Sequence, residues 1–239
     1  MPALQYNQWE FLPSELNDTP SHNDGINKDT EAANRIKSCN FLQAVGNQLQ
    51  VTQQTLRTAC VYFHRFYMRH SMKQYHFFDV AATCLYVACK VEECPRRLND
   101  FAEWCTKKAK KRDNLDMNLK ENRDEFNRWR EILIHNEVPV FEALCFDLYI
   151  EHPENYLEDM QIQWNATDEE VEDTYWFLAQ ISGETFCLTH EPKLIAAAAL
   201  LVIMTFSSRT PANATIETAG LPASVVRQLA SQMCKCRSL

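Results

Sequence analysis

The sequence predicts an all-α chain built as two helical units of similar plan, and three observations carry that expectation. Apolar residues recur at helical spacing from about residue 31 onward, and no convincing run of strand alternation interrupts them. Each half holds one central helix that is apolar nearly all round, which is the pattern of a helix enclosed by others. Sliding the chain by 114 residues sets Phe63 on Phe177, His76 on His190, Leu85 on Ala199 and Val87 on Leu201. Few letters coincide, so the duplication rests on helix order and pattern.

The elements follow in order. A polar, turn-rich stretch, NDTPSHNDGINKD at 17–29, leads into a helix from about Glu31 to Leu49, with Ile36, Phe41, Leu42 and Val45 facing inward. Thr52 then stands as an N-cap, because its hydroxyl can accept from an orphan amide of the next turn. The helix it opens carries Leu56, Ala59, Phe63, Phe66 and Tyr67 on one face. Next comes the apolar helix that holds Lys90, and then a helix ending in the basic run Lys107-Lys108-Ala109-Lys110-Lys111-Arg112. Residues 111–125 have few apolar side chains and are expected as a loop or weak helix. FNRWREILIHNEVPVFEALCFDL, 126–148, forms a fifth helical stretch with a kink or break at Pro139. Pro153 marks the entry to the second half. There Thr167 and Glu170 make a capping box at the head of TDEEVEDTYWFLAQIS. HEPKLIAAAALLVIMTF supplies the second central helix, and PASVVRQLASQM closes the chain.

Composition narrows the function. Four glycines in 239 residues leave no dinucleotide or phosphate-binding loop, and His64-Arg65-Phe66 lacks the carboxylate of a kinase catalytic loop. A net charge of −8 opposes broad nucleic-acid binding, which needs cations to neutralise phosphates. The basic run 107–112 reads as a solvated helix end whose cations suit the macrodipole, with a nuclear-import or phosphate-docking patch as the alternative. Ten cysteines form no Cys-x-x-Cys, and Cys84, Cys89 and Cys94 wind around a helix instead of converging. They are expected as reduced core thiols, with Cys234 and Cys236 the one pair placed to react. His64, His70 and His76 share no face, and no paired carboxylates occur at catalytic spacing, so neither metal, cofactor nor catalysis is expected. The first residues lack the basic and apolar regions of a signal peptide, and no apolar run reaches the roughly 20 residues of a membrane span. A soluble intracellular protein is expected.

Lys90 stands out near the end of an apolar helix. A cation there gains from the macrodipole, and Glu93 at i+3 is the local carboxylate in reach. At the 114-residue offset its counterpart is Met204, so the helical plan does not itself require a lysine. That asymmetry points to a specific task in the first unit.

The string CLYVACKVEECPRRLNDF around it resembles the most diagnostic segment of the cyclin box, Leu-x-x-Ala-x-Lys-x-Glu-Glu followed by proline. FHRFYM at 63–68, FDLYIEHPENYL at 146–157 and WEFLPSELNDTPSHNDGI at 9–26 are similar to the transcriptional cyclins of the K, T and L types. The resemblance runs from about residue 9 to 235. It implies two tandem five-helix cyclin-box repeats: an N-terminal extension with a short helix at 1–30, a first box at 31–150 and a second at 151–239. It also implies a non-catalytic regulatory subunit that binds and activates a cyclin-dependent kinase. That kinase would phosphorylate the C-terminal domain of RNA polymerase II in transcription elongation, in the nucleus. The expected partner is the kinase catalytic subunit, with room for a third regulatory subunit and no direct nucleic acid or membrane. Carried over residue by residue, the kinase anchors are Lys90 and Glu137. Glu92 and Glu93 belong to the same motif, and Val87, Val91, Phe141, Phe146 and Leu148 supply apolar contacts. Pro139 departs from the family pattern, which has an aliphatic residue there, and puts a kink beside Glu137. Lys37 and Asn40 interrupt the apolar string that docks substrates in cell-cycle cyclins. A double-repeat general transcription factor binding DNA, or a helical scaffold, is the alternative; the acidic charge and absent Cys-x-x-Cys oppose the first.

Overall fold

The computed structural model describes residues 7–236, so the outermost residues of the expected extension and second box lie outside the described residues. Among those described there are thirteen α-helices, three short 3-10 turns and no strand. The chain divides into two compact units, one ending at Ile150 and the other starting at Glu151.

The first unit contains α1 (Pro20–Asn23), α2 (Lys28–Gln48), α3 (Gln53–Phe66), α4 (Phe77–Val91), α5 (Leu98–Ala109), α6 (Lys120–His135) and α7 (Glu137–Ala143). Its axis is α4, which packs against α2, α3, α6 and α7. From Val80 to Cys89 only Tyr86 reaches solvent, which explains why that stretch of sequence is apolar all round. Asn27 caps α2 through the Thr30 amide and Thr52 caps α3 through the Thr55 amide. Gly46 lies where α2 meets α3, and a Cβ there would overlap Leu56.

A buried charge network fastens the N-terminal segment to this unit. Arg35 donates to Glu31 Oε1 from Nε at 2.9 Å and from Nη2 at 2.7 Å, and also to the carbonyls of His64 and Tyr67. Glu31 Oε2 accepts from the Thr19 hydroxyl at 2.6 Å. Both charged side chains are almost fully enclosed; Arg35 is tolerable there because Glu31 and the carbonyls accept from it, and Glu31 because Arg35 and Thr19 donate to it.

Two expectations for residues 107–148 change. Helix α6 begins at Lys120, earlier than the apolar pattern indicates, because Asn122, Trp129 and Leu133 are enough to bury one stripe. Arg128 adds a two-pronged contact to Asp79 at 3.0 and 3.1 Å. The basic run is largely tied down locally. Lys107 pairs with Glu103 and Lys108 with Asp113, while Lys110 donates to Asn122. The fifth helical stretch is two helices, broken at Asn136.

The second unit contains α8 (Leu157–Trp164), α9 (Asp168–Gln180), α10 (Phe186–Thr189), α11 (Pro192–Phe206), α12 (Asn213–Glu217) and α13 (Ala223–Cys236). Helix α11 is buried continuously from Ile195 to Met204 and packs on α8, α9 and α13. The capping box is formed: Thr167 N–H donates to Glu170 Oε2 at 2.8 Å, and Glu170 N–H donates to the Thr167 hydroxyl at 3.2 Å. Helices α8, α10 and α12 were not expected from the pattern; each is too short to show a clear period.

Helices α4 and α11 are both 15 residues long, and their starts lie 115 residues apart, one more than the sequence comparison indicates. Lys90 therefore corresponds to exposed Thr205, not to buried Met204. The helix body is buried but its end is not, which removes the apparent conflict of an ammonium group inside a core.

Candidate protein-docking face

Lys90 lies in the last turn of α4 and Glu137 in the first turn of α7, so each charge suits the helix end that carries it. Their side chains meet at 2.6 Å between Nζ and Oε1, with 38% and 24% of their side-chain surface exposed. Lys90 Nζ also sits 4.3 Å from the centroid of the Tyr86 ring, one turn back. An ion pair this exposed contributes only about 0–1 kcal/mol to folding, so stability is a poor reason for it.

The turns that flank the pair are unusual. Helix α4 ends with Cys94 N–H on the Cys89 carbonyl at 2.9 Å and Glu93 N–H on Lys90 at 3.4 Å, which forces Glu93 into a left-handed conformation, φ 53°. Glu93 is exposed there, and the carboxylate that pairs with Lys90 is the distant Glu137. Glu92 turns toward α3 and accepts from Thr58 at 2.7 Å and Gln54 at 3.1 Å. After α7, Cys145 and Phe146 are both left-handed, at φ 52° and 56°, a strained pairing for residues with side chains.

That strained turn is held from both sides. Trp9 is buried and donates its indole N–H to Asp147 Oδ2 at 2.8 Å. The Arg65 and Arg69 guanidinium groups sit 4.6 and 4.8 Å from its ring. Gln8 adds a second bond to Asp147 at 3.2 Å. On the next residue, the Leu148 carbonyl accepts from the Tyr62 hydroxyl, whose pKa is raised by burial and then by the Glu92 charge. With Asp147 and Leu148 fixed inward, Phe146 projects outward, 67% exposed, its ring parallel to Phe141 at 5.8 Å.

The sequence-predicted residues thus fall into three groups. Lys90, Glu137, Phe141, Phe146 and Leu148 form the charged pair and the aromatic turn, with Val91 half-buried at the end of α4. Glu92 and Glu93 shape the end of α4. Val87 is fully enclosed in the core and offers no surface to a partner; its place is packing beneath the face. Sequence reasoning missed Ile134 on α6, Val138 on α7 and Tyr149 just after the Phe146 turn, all large and exposed. Their signal was present: each is an apolar residue off the buried stripe of its helix or turn. It also missed the role of Trp9, seen in the sequence only as part of a motif. Among the described residues no His, Cys, Asp and Glu cluster could hold a metal, and no helix is long and apolar enough to cross a membrane.

The chain is all-α, in two units of similar plan, and the first unit exposes a charged pair and an aromatic stack. The family model described as "Cyclin, N-terminal domain" matches residues 8–148, and the chain belongs to the cyclin family. Cyclin pch1 of Schizosaccharomyces pombe is 39% identical over 216 residues, 90% of this chain and 62% of that protein. Cyclin-T1 of Bos taurus is 33% identical over 192 residues, 79% of this chain and 26% of that one. The chain therefore spans less than two thirds of the length of these relatives. The fold is similar to a chain in the yeast RNA Pol II CTD kinase CTDK-1 complex, with TM-score 0.71 and 14% identity, covering 95% of this chain and 76% of that one. It is also similar to a chain in the yeast TFIIK (Kin28/Ccl1/Tfb3) complex, with TM-score 0.68 and 17% identity, covering 96% and 98%.

Proposed function

We propose that the chain is the regulatory subunit of a cyclin-dependent kinase that phosphorylates the C-terminal domain of RNA polymerase II, working in the nucleus during transcription elongation. The observation that carries this reading is the exposed Lys90–Glu137 pair beside the Phe141–Phe146 stack, because folding gains little from it and a partner could use it. The names of the relatives and the kinase complexes among the similar structures support it. The TFIIK complex has three components, which supports a third subunit here.

The mechanism is conformational. The first unit packs against the mobile helix of the kinase that carries its conserved glutamate and holds that helix inward, so the kinase Glu–Lys pair forms and its activation loop opens. Phe146, Val138 and Tyr149 supply apolar area, while Lys90 and Glu137 fix register more than they add affinity, since desolvation offsets much of their attraction.

The test is reconstitution of the purified chain with a panel of cyclin-dependent kinases, reading co-purification and phosphorylation of a polymerase C-terminal-repeat peptide. Lys90→Glu is expected to lower association at least about tenfold while helical content and thermal unfolding stay near wild type. Association unchanged by that substitution would sink the anchor assignment. Failure to stimulate any kinase in the panel would sink the function itself.

A further inference from the structure

We propose that the second unit has a docking groove of its own, which takes a basic peptide segment of a partner protein. Helices α9, α11 and α13 enclose an open groove of about 650 Å³. Phe177 and Ile203 lie in it and are themselves buried, while Trp176 and Phe206 line it with 63% of each exposed. Isolated exposed aromatics are ordinary on a surface, but two large ones along a concavity are not.

The charge says what the groove accepts. Residues 151–239 hold 12 Asp and Glu against 5 Lys and Arg, so they carry seven of the eight units of net negative charge in the chain. Arg209 is committed to Glu170 and Asn165, and Arg227 to Asn213 and Pro211. Glu169, Asp173, Trp176 and Gln180 share one stripe of α9, and Glu172 stands one turn before Trp176. Glu169, Glu172 and Asp173 are exposed and without an ion-pair partner among the described residues. An arginine or lysine laid over the Trp176 ring would lie within reach of Asp173 or Glu172, combining a cation–π contact with an ion pair. An apolar neighbour in the same segment would enter beside Phe206. Phosphate backbones carry the wrong sign for this surface. A second copy would bring two like-charged units together.

The position within the repeat agrees. Phe206 ends α11 as Val91 ends α4, so the groove borders the helix end whose counterpart carries Lys90. The two surfaces have different chemistry, one a closed ion pair and the other uncompensated carboxylates, and so suit different partners.

The experiment uses the full chain, immobilised, with a display library of random linear peptides. Selected peptides are resynthesised with a fluorophore, and binding is measured by polarisation at two salt concentrations. The expected sequences place Arg or Lys next to an apolar residue and bind more tightly at low salt. Asp173→Lys and Trp176→Ala are each expected to weaken them about tenfold or more, while Lys90→Glu leaves them unchanged. Kinase association by Asp173→Lys is expected at the wild-type level, so this proposal and the kinase reading fail separately. Circular dichroism establishes that both variants fold. Selection of no peptide, peptides lacking basic residues, or binding retained by Asp173→Lys would each overturn the proposal. So would a dimer of the chain that Trp176→Ala dissociates.

Discussion

Trp9→Phe tests whether the N-terminal segment acts as a strap on the Phe146 turn. The substitution keeps a ring in the pocket but removes the indole N–H that Asp147 accepts at 2.8 Å. A hydrogen bond to a charged group contributes about 1.5–3 kcal/mol when buried. Asp147 is only half-buried and keeps Gln8 at 3.2 Å, so the lower end of that range applies. The smaller ring also weakens two guanidinium contacts, each worth about 0.5–1 kcal/mol. A loss of about 2 kcal/mol follows for Trp9→Phe. Trp9→Ala, which also empties a buried pocket, should lose about 3–5 kcal/mol.

The assay is urea unfolding followed by circular dichroism, with hydrogen exchange read across the turn. With a slope of about 1–3 kcal/mol per molar urea, the first unit of Trp9→Phe should unfold at a midpoint about 1 M lower. Cys145 and Phe146 hold left-handed conformations that the chain leaves when released, so amides at 145–148 should exchange faster than elsewhere in the variant. Kinase association should fall with them, because Phe146 loses its fixed direction. A midpoint equal to wild type, or undisturbed exchange at 145–148, would refute the strap and leave Trp9 as ordinary packing.

Other outcomes follow from the same geometry. Glu31→Ala strands the Arg35 guanidinium in the core and should cost about 3–5 kcal/mol, whereas Glu31→Leu with Arg35→Met should recover much of it; equal losses for the single and double variants would count against the pairing. Combining Lys90→Glu with Glu137→Lys restores the ion pair in reverse, and should restore the fold's own contact without restoring kinase association; full recovery would show that the partner reads only the pair's presence. The thiols give a pH prediction. Burial raises the pKa of Cys84 and Cys105 and pushes Cys89 up to about 12, so the folded chain keeps protons that the unfolded chain releases above about 8.5. The stabilisation is complete below that pH and is lost as pH rises. For Cys84 and Cys105 together the loss is about 3 kcal/mol one unit above it, read as a falling unfolding midpoint in reductant. A flat midpoint from pH 8 to 9.5 would contradict it.

How much of this was legible in the sequence depended on what each residue was answering to. The central helices were readable because α4 and α11 are enclosed on all sides, and enclosure leaves an unmistakable apolar run. Thr52 and the Thr167–Glu170 box were readable because capping is local. The start of α6 was not, since only Asn122, Trp129 and Leu133 of its residues are buried and the rest of its pattern is charge. The Trp9–Asp147 contact joins residues 138 positions apart, and nothing in local spacing announces it. For Lys90 and Glu137 the residues were found through family motif, but their meeting at 2.6 Å was geometry the sequence left in question.

That question centred on Pro139, and the structure turns it around. In one continuous helix through 120–143, Pro139 would lack the N–H owed to the His135 carbonyl, and its ring would strike that carbonyl. The chain stops α6 at His135 and starts α7 at Glu137, which makes Pro139 the third residue of the new helix. Amides in a first turn have no partner within the helix, so the missing N–H there costs nothing. The helix proceeds from the next residue, with Val140 N–H on the Asn136 carbonyl at 3.0 Å. Breaking the helix also exposes Val138 and places Glu137 in a first turn, where its charge is favoured and Lys90 is in reach. The residue that departs from the pattern is therefore compatible with the proposed Lys90–Glu137 anchor, because the break lies just before Glu137, where α7 begins.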